Sequence, residues 1–512
     1  MNEEAGIPAL SFHNGKATLL SAGKPFLIFG GECHNSSSSD LDYMRDEVWP
    51  RIRRLNLNTL FVPVTWEQLE PEPDRFDFAL VEGLIRQAED ERMKLVLLWF
   101  GLWKNGISTY VPAWVKADTR TYFRMQDRHG RVLPAISPLC GAGVGRDAAA
   151  FARLMAHLRD YDSRRTVLLV QVENEMGLLG DCRDFSEAGE TAYAAAIPQE
   201  MAAFSGVAGS WHEAFGVEAP ELFMTYAYAQ ATERIASSGK REYPLPLYVN
   251  AWLEQFPWTP GSYPVGGPIA RHMALWQEFA PSISLLAPDI YLPDFEAVCR
   301  EYTKRGNPLL IPEARPSMDS ASNVFSAFGR FGALGFSPFA IEKLNEESPP
   351  PDDAVLGQLN IMAEAFRHYR AGEYLAESYA LLGGMAGLLE EYRLTPHLQG
   401  FTNSNMPGTL LHFADCDFRI DYLPHGKHSP KGGGLVLELE PDLFVFCGLN
   451  FRAQALPGFD DPGTVEILSI TEGVYQNDVF VPGRRLNGDE FQLRFGEHPS
   501  LCQVRLLRHP RG

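Results

Sequence analysis

The stretch Val167-Leu-Leu-Val-Gln-Val-Glu-Asn-Glu-Met176 decides the fold of this 512-residue chain. Its apolar run predicts a strand that is buried on both faces, as is typical of parallel sheets. The run ends at two glutamates that flank an asparagine, and carboxylates are costly to bury in a core. A charged cluster at the end of a buried strand indicates a functional site. The stretch alone leaves open the alternative that Glu173 and Glu175 only mark where the strand leaves the core.

A second stretch repeats this design. Pro308-Leu-Leu-Ile-Pro-Glu-Ala-Arg315 is again an apolar run, and it stops at a single acid, Glu313. Equivalent ends of parallel strands lie at the same end of a barrel, so Glu175 and Glu313 can face each other across a pocket. Two carboxylates placed in this way can act as nucleophile and as general acid/base, which is the chemistry of glycoside hydrolysis.

Strand signals alternate with helical signals from about Lys24 to Ala340. Eight such units predict an α/β fold of the (β/α)8 TIM barrel type. The predicted strands cover residues 25–32, 58–64, 94–100, 167–176, 245–250, 282–290, 308–312 and 333–339.

The pattern changes after the barrel to short alternating runs separated by turn residues, which predict an antiparallel β-sandwich. Apolar residues at helical spacing predict a closing helix over 354–369, just after the proline run 349–351. A boundary at the prolines would leave the eighth strand without its helix. We therefore predict a catalytic barrel over 1–375 and a β-sandwich domain over 376–512.

The net charge of -20 and the pI of about 5.1 disfavour nucleic acid and membrane surfaces as partners. The acidic amino terminus lacks an export signal, which predicts a cytoplasmic protein and leaves a trimmed, periplasmic form open. No apolar stretch approaches the roughly 18 residues that a membrane-spanning helix needs. The seven cysteines are scattered without a CxxC spacing, so we expect reduced structural thiols.

Active sites of such barrels lie at the carboxyl ends of the strands, and here acids, amides and indoles dominate those ends. A sugar needs polar side chains around its hydroxyl groups and aromatic planes under its C–H faces, so these ends suit a sugar. The predicted substrate-binding residues are Glu32, His34, Trp103, Asn105, Asn174, Trp252, Tyr291 and Glu342. His34 could be a metal ligand, but no HExxH or HxH pattern accompanies it, so no metal and no organic cofactor are expected.

The stretch Gln171-Val-Glu-Asn-Glu-Met-Gly177 resembles the QVENEYG motif of family 35 β-galactosidases, with Met176 in place of the tyrosine. That family belongs to the clan of retaining (β/α)8 glycosidases. The resemblance implies that Glu175 is the acid/base, that Glu313 is the nucleophile and that Asn174 binds the 2-hydroxyl group of the sugar. It also implies that the Tyr291 hydroxyl group holds the nucleophile. The segment 66–78 is more similar to the W-x-x-LEP pattern of family 42 β-galactosidases.

These observations together predict a retaining exo-β-glycosidase, a β-galactosidase acting on terminal β-D-galactosyl groups of oligosaccharides. The alternatives are another exo-β-glycosidase, such as a β-glucosidase or an enzyme that trims hemicellulose fragments, and a non-catalytic carbohydrate-binding barrel. A retaining enzyme requires carboxyl groups about 5–5.5 Å apart, and an inverting enzyme about 6.5–9.5 Å. The natural substrate, its linkage, the role of the sandwich and the formation of a homo-oligomer stay open at this point.

Overall fold

A computed structural model describes residues 6–346, 371–426, 429–458 and 463–509. Eight parallel strands close into a barrel in which each strand pairs with the next along the chain and the eighth pairs with the first. The predicted (β/α)8 fold is therefore confirmed. The barrel strands, called first to eighth below, are Ile28–Glu32, Thr59–Thr65, Lys94–Lys104, Val167–Asn174, Leu247–Trp252, Leu285–Ile290, Leu310–Ala314 and Gly335–Pro338.

Helices cover the outside of this barrel and bury its outward-facing side chains. All residues of the fourth strand are buried, as its continuous apolar run predicts. Inside the barrel, large apolar side chains such as Phe61, Leu98 and Phe100 form a separate packed cluster. The α-helices are Leu41–Tyr43, Trp49–Ile52, Trp66–Leu69, Ala79–Asp90, Ala113–Ala117, Gly141–Tyr161, Glu187–Ala194, Gln199–Ser205, Trp211–Phe215, Ala219–Glu242, Met273–Phe279, Phe295–Tyr302, Ser320–Gly329, Ala371–Gly384 and Ala386–Tyr392.

A small antiparallel sheet precedes the barrel and closes its amino end. Its strands are Ala9–His13, Lys16–Ser21 and Lys24–Pro25. Leu19 of this sheet packs in the same cluster as the barrel interior. The first barrel strand therefore begins at Ile28 and not at residue 25, because Pro25 pairs with Leu20 in the small sheet.

The carboxy-terminal part contains two antiparallel sheets that share one aromatic core. Phe418 and Phe451 from one sheet and Phe444 and Phe446 from the other belong to this core, which confirms the predicted antiparallel domain. The sequence did not predict the strands over 398–402, 451–457 and 479–485. The larger sheet comprises Leu398–Thr402, Gly433–Glu440, Leu443–Leu449, Thr464–Gln476, Val479–Arg485 and Ser500–His509, and the smaller comprises Gly408–His412, Cys416–Tyr422, Phe451–Pro457 and Arg494–Phe495.

The helix Ala371–Gly384 joins the two parts. The Tyr379 hydroxyl group donates to the carbonyl oxygens of Gly30 (2.9 Å) and Phe336 (2.8 Å) in the barrel. At the far end of the helix, the carbonyl group of Gly384 accepts from the N–H of Asp478 in the sandwich (2.9 Å). The predicted boundary between residues 375 and 376 lies inside this helix and stays a prediction. The predicted helix over 354–369 and the proline run lie outside the described residues.

Two further sequence expectations concern membranes and thiols. Among the described residues, none of the helices combines the length and the apolar character that crossing a bilayer requires. All seven cysteines are free, and six of them are buried, in agreement with structural thiols.

Candidate active site

Glu175 and Glu313 lie together at the carboxyl end of the barrel. Glu175 directly follows the fourth strand, and Glu313 lies near the end of the seventh. Each of these residues is only 6% exposed. One carboxyl oxygen of each lies within 4.8 Å of the other, and one oxygen of Asp289 is equally close to both. The structure thus brings the two predicted catalytic residues into one pocket.

An amide network fixes the backbone of Glu175. Its N–H donates to Oδ1 of Asn250 (2.9 Å), and Nδ2 of Asn250 donates to Oδ1 of Asn174 (3.2 Å). Oδ1 of Asn174 also accepts from Nε2 of Gln171 (3.0 Å). Glu173 and Glu175 both have positive φ angles, of 62° and 44°, so the chain turns sharply where the strand ends. This turn gives the Glu175 carboxyl group its direction into the pocket.

The pKa of Glu313 is raised overall by burial, and two neighbouring groups oppose that effect. The Tyr291 hydroxyl group donates a hydrogen bond to Oε1 of Glu313. Burial raises the pKa of Glu313, whereas the positive charge of Lys104 and the Tyr291 hydrogen bond lower it. Oε2 of Glu313 is buried and has no hydrogen-bond partner among the described residues. That oxygen is available to a reacting atom.

The surroundings of Glu175 favour its protonated form. Burial, followed by repulsion from Glu313, raises the pKa of Glu175 to about 7. A general acid needs a proton at the start of the reaction, and a carboxyl group with this pKa holds one near neutral pH. The two glutamates are therefore suited to different roles.

Asp289 is a third acid of the pocket that the predicted site lacks. It lies in the sixth strand, is 3% exposed and accepts from Nδ2 of Asn250 (2.6 Å). Burial, and then the charges of Glu313 and Glu175, raise its pKa well above the usual range. Asp289 also shares a side-chain hydrogen bond with Glu175. The sequence places Asp289 at the exit of the predicted sixth strand, 282–290, but gives no sign that it contacts Glu175.

Three carboxyl groups this close could ligate a divalent cation. The pKa values of Glu175 and Asp289 are raised by burial and by the neighbouring acids, so a cation that bound there would displace protons from them. We therefore interpret Glu175, Asp289 and Glu313 as an acid/base cluster.

Glu32 and two residues that the sequence did not single out complete the charged lining. Glu32 ends the first strand, is 1% exposed, and has a pKa raised well above its usual range by burial and by Glu313. Lys104 is 8% exposed, and its charge lowers the pKa values of Glu32, Glu175 and Glu313. The buried phenol of Tyr248 has a raised pKa because of burial and the charge of Glu32. Lys104 could have been recognised from the sequence, because it is a lysine at the end of the apolar run 94–104.

Asn105 and Trp252 lie beside this cluster. Oδ1 of Asn105 accepts from Nδ2 of Asn174 (3.4 Å), and the N–H of Asn105 donates to the carbonyl oxygen of Asn174 (3.1 Å). Trp252 ends the fifth strand, where it is half-buried and in register with Asp289 of the sixth. Their contact with a bound sugar stays a prediction.

His34 and Glu342 occupy the rim and contact each other. The Glu342 carboxylate accepts from the N–H of His34 (3.1 Å) and from the Ser37 hydroxyl group. Glu342 is 3% exposed, so its main contacts are with the loop after the first strand. His34 is exposed, and its ring lies 5.3 Å from that of Phe339. Their role in binding a sugar stays a prediction.

The structure does not bring Trp103 to the pocket. Its side chain is fully buried, its Nε1 donates to the carbonyl oxygen of Ile136 (2.9 Å), and its ring lies 4.9 Å from that of Tyr228. The register between the third and fourth strands shifts between Trp99 and Lys104. This irregularity places Trp103 in the core around the barrel and leaves Lys104 and Asn105 at the strand exit.

Glu173 causes part of this irregularity. Its carboxylate accepts from the N–H groups of Leu102 (3.2 Å) and Trp103 (2.6 Å). It also shares a hydrogen bond with the buried Asp147, and burial followed by the Asp147 charge raises the pKa of Glu173 well above its usual range. Glu173 is fully buried, so we assign it a structural role and leave the acid/base role to Glu175.

Comparisons with known proteins agree with this architecture. A family described as a domain of unknown function, DUF5597, matches residues 375–496. A rice (Oryza sativa subsp. japonica) protein named beta-galactosidase 8 is 28% identical over 183 residues, which is 33% of this chain and 24% of the rice protein. The chain thus spans about a quarter of the length of that relative.

Solved structures of two bacterial β-galactosidases also match. The enzyme from Bacillus circulans sp. alkalophilus has a TM-score of 0.50 at 12% identity, covering 72% of this chain and 57% of its own. The enzyme from Rahnella sp. R3 has a TM-score of 0.48 at 15% identity, with the same coverage of both chains. At 12% identity, the similarity to the Bacillus circulans enzyme shows the fold alone.

Proposed function

We propose that this protein is a retaining exo-β-glycosidase that removes terminal β-D-galactosyl groups from oligosaccharides. The observation that carries the proposal is that Glu175 and Glu313 are buried side by side at the carboxyl end of the barrel and have different neighbours. Tyr291 and Lys104 favour an ionised Glu313, and burial beside Glu313 raises the pKa of Glu175 to about 7. One carboxylate ready to attack and one carboxyl group ready to give a proton are what double displacement needs.

In the first step, Oε2 of Glu313 attacks the anomeric carbon and forms an ester bond to the sugar. The glycosidic bond breaks, and its oxygen takes the proton of Glu175 as the aglycone leaves. In the second step, Glu175 removes a proton from a water molecule, whose oxygen replaces Glu313 at the anomeric carbon. Both residues return to their initial protonation states, and two inversions restore the β-configuration.

The short separation of the two glutamates supports retention. One carboxyl oxygen of Glu175 lies within 4.8 Å of one of Glu313, which is compatible with the carboxyl separation of about 5–5.5 Å in retaining enzymes. The register places Glu313 opposite Asp289 in the neighbouring strand, so the backbone itself limits the distance between those two acids.

The galactosyl preference is supported by the motif around Glu175 and by the names of the relatives. In the pocket, Asn174, Asn105 and Glu32 offer partners for hydroxyl groups, and Trp252 offers an aromatic plane. The same set could accept another sugar, which makes a β-glucosidase or a hemicellulose-trimming enzyme the second candidate. A non-catalytic carbohydrate-binding barrel is less compatible with two intact carboxyl groups.

The test is a panel of nitrophenyl glycosides, assayed with the purified protein and with Glu313→Gln as the inactive control. We expect the β-D-galactoside to be hydrolysed faster than the β-D-glucoside, the β-D-mannoside or any α-anomer. Proton NMR of early products should show β-galactose before mutarotation. A preference for another glycone would contradict the galactosidase assignment. An α-anomer as the first product would contradict the retaining mechanism. A protein without activity on any substrate of the panel would favour the non-catalytic carbohydrate-binding barrel.

A further inference from the structure

Two large aromatic side chains protrude from the loop after the fifth barrel strand. Phe256 is 72% exposed and Trp258 is 63% exposed. Exposed aromatic residues that lie close together on a soluble protein indicate a binding surface more often than isolated ones do. We call Phe256 and Trp258 the aromatic platform.

The loop that carries the platform pairs with the loop that follows Glu175. Leu178 and Val265 form an antiparallel bridge, and the N–H of Gly180 donates to the carbonyl oxygen of Gly261 (2.9 Å). Gly177 allows this close approach, because its φ is +143° and a Cβ atom there would lie 2.6 Å from Pro264. The platform therefore belongs to the same wall of the barrel end as the acid/base.

Buried polar contacts anchor the base of the loop. The Tyr263 hydroxyl group donates to Oε1 of Glu221 (2.9 Å), while Arg271 binds both Glu221 (2.9 Å) and Glu254 (2.9 Å). Tyr263 is 1% exposed and Glu221 is 4% exposed, so the hydrogen bond between them is sheltered from water. The aromatic rings are thus presented by an anchored loop.

Two hydrogen bonds within the loop hold its tip. The N–H of Trp258 donates to the carbonyl oxygen of Gln255 (2.8 Å), and Nε2 of Gln255 donates to the carbonyl oxygen of Ser262 (3.2 Å). Trp258 has a φ of +63°, which is costly for a bulky residue. Such strain is typical of functional loops, where the surrounding structure holds a side chain in a useful position.

The platform lies within a few sugar units of the cleavage point. Trp252 is in register with Asp289 of the acid cluster, and Trp258 follows six residues later in the chain. A chain of that length reaches about 20 Å at most. A glycan whose terminal sugar is held at Glu175 and Glu313 can extend across this distance.

From this placement we infer that Phe256 and Trp258 bind the aglycone sugars of an extended oligosaccharide substrate. The inference rests on the proposed function and deepens it, because it selects galactose-terminated oligosaccharides over small galactosides. Aromatic rings stack on the apolar C–H faces of sugars, and neutral sugars are not repelled by a chain with a net charge of -20. Trp252 would contact the terminal sugar and the aromatic platform the sugars beyond it.

The experiment compares kcat/KM for a β-galactosyl-terminated tetrasaccharide with kcat/KM for methyl β-D-galactoside. In Trp258→Ala we expect this ratio to fall about two- to tenfold, mainly through a higher KM for the tetrasaccharide. Phe12→Ala is the matched control: Phe12 is 59% exposed, but it lies beside Asn307 and Pro308 at the amino end of the barrel. The control should leave the ratio unchanged.

An unchanged ratio in Trp258→Ala and in Phe256→Ala would overturn the inference, even though hydrolysis itself continued. Calorimetry tests the same surface without turnover: tetrasaccharide binding to Glu313→Gln should weaken when Trp258→Ala is added, and galactose binding should not. If the wild-type protein hydrolyses neither substrate, the proposed function fails and calorimetry still decides the role of the platform. A wild-type oligomer that Trp258→Ala dissociates in sedimentation would instead make this surface an interface between copies.

Discussion

Tyr291 directly follows the sixth barrel strand and Glu313 lies in the seventh, and the tyrosine hydroxyl group donates a hydrogen bond directly to the predicted nucleophile. This bond stabilises the ionised form of Glu313. In Tyr291→Phe we expect kcat to fall about tenfold to 150-fold, because a hydrogen bond to a charged group contributes about 1.5–3 kcal/mol. The pKa of Glu313 should rise, so the acid limb of the pH profile should move to higher pH.

The matched control for this prediction is Tyr302→Phe. Tyr302 is also buried, but its hydroxyl group donates to the carbonyl oxygen of Pro268 and not to Glu313. We expect the control to keep the acid limb in place. Equal shifts in both variants would mean that Tyr291 acts through folding and not through Glu313.

The two glutamates should respond differently to the leaving group. Glu313→Gln should lose nearly all turnover on every substrate, because no nucleophile remains. Glu175→Gln should lose far more activity on methyl β-D-galactoside than on the dinitrophenyl galactoside, whose leaving group needs no protonation. Steady-state kinetics on both substrates provide the check. Equal losses of Glu175→Gln on the two substrates would contradict its assignment as the acid.

The alkaline limb of the pH profile should report on Glu175 and its neighbour Asp289. Activity should fall as the pH rises through about 7, because Glu175 then loses the proton that it donates. Asp289 shares a hydrogen bond with Glu175 that lowers the Glu175 pKa. Asp289→Ala removes this bond, so the alkaline limb should move to higher pH.

Asp289→Asn provides the control for that shift. An asparagine can still accept a hydrogen bond from Asn250 and donate one to Glu175. The alkaline limb of the pH profile should therefore stay closer to its wild-type position. A limb that does not move in Asp289→Ala would show that Asp289 does not influence the acid/base. Measurements of kcat from pH 5 to 9 would decide this, together with thermal denaturation to confirm that each variant folds.

Trp103 and Trp252, which the sequence predicted to bind substrate, should affect stability and KM in opposite ways when each is replaced by alanine. Trp103 is fully enclosed, so Trp103→Ala should lower the free energy of unfolding by about 3–5 kcal/mol and leave the KM of the folded fraction unchanged. Trp252 is half-buried at a strand end in the pocket, so Trp252→Ala should raise KM about two- to tenfold with a smaller loss of stability. Chemical denaturation and kinetics of both variants test this; a KM effect limited to Trp103→Ala would reverse the assignments.

The sequence predicted the barrel because hydrophobic periodicity is a local property. Buried parallel strands such as Val167–Asn174 are apolar throughout, and the charged residues that follow them stand out. The eight strand positions, the antiparallel second domain and the ends that carry Glu175 and Glu313 could all be predicted from the chain itself. Active sites of such barrels lie at these strand ends, so the sequence also predicts that the two acids lie near each other.

Other features depended on how strands align and could not be read from local patterns. Trp103 and Lys104 are adjacent in the chain, yet a register shift buries one in the core and leaves the other at the pocket. The contacts of Glu173 with Leu102 and Trp103 produce part of that shift, and they connect residues about 70 positions apart. Local sequence does not specify register at a strand end, where pairing becomes irregular.

The acidic residues at the strand ends show most clearly which features follow from the sequence and which require the folded structure. The sequence by itself determined that carboxyl groups end the first, fourth and seventh strands. Their chemistry depends on contacts that form only in the folded protein. Asp289 shares a hydrogen bond with Glu175, and Asp147 shares one with Glu173. Tyr291 and Lys104 lower the pKa of Glu313 against the effect of burial. The pKa of a carboxyl group depends on its burial and on charges a few ångströms away, and both arise only when distant parts of the chain are brought together.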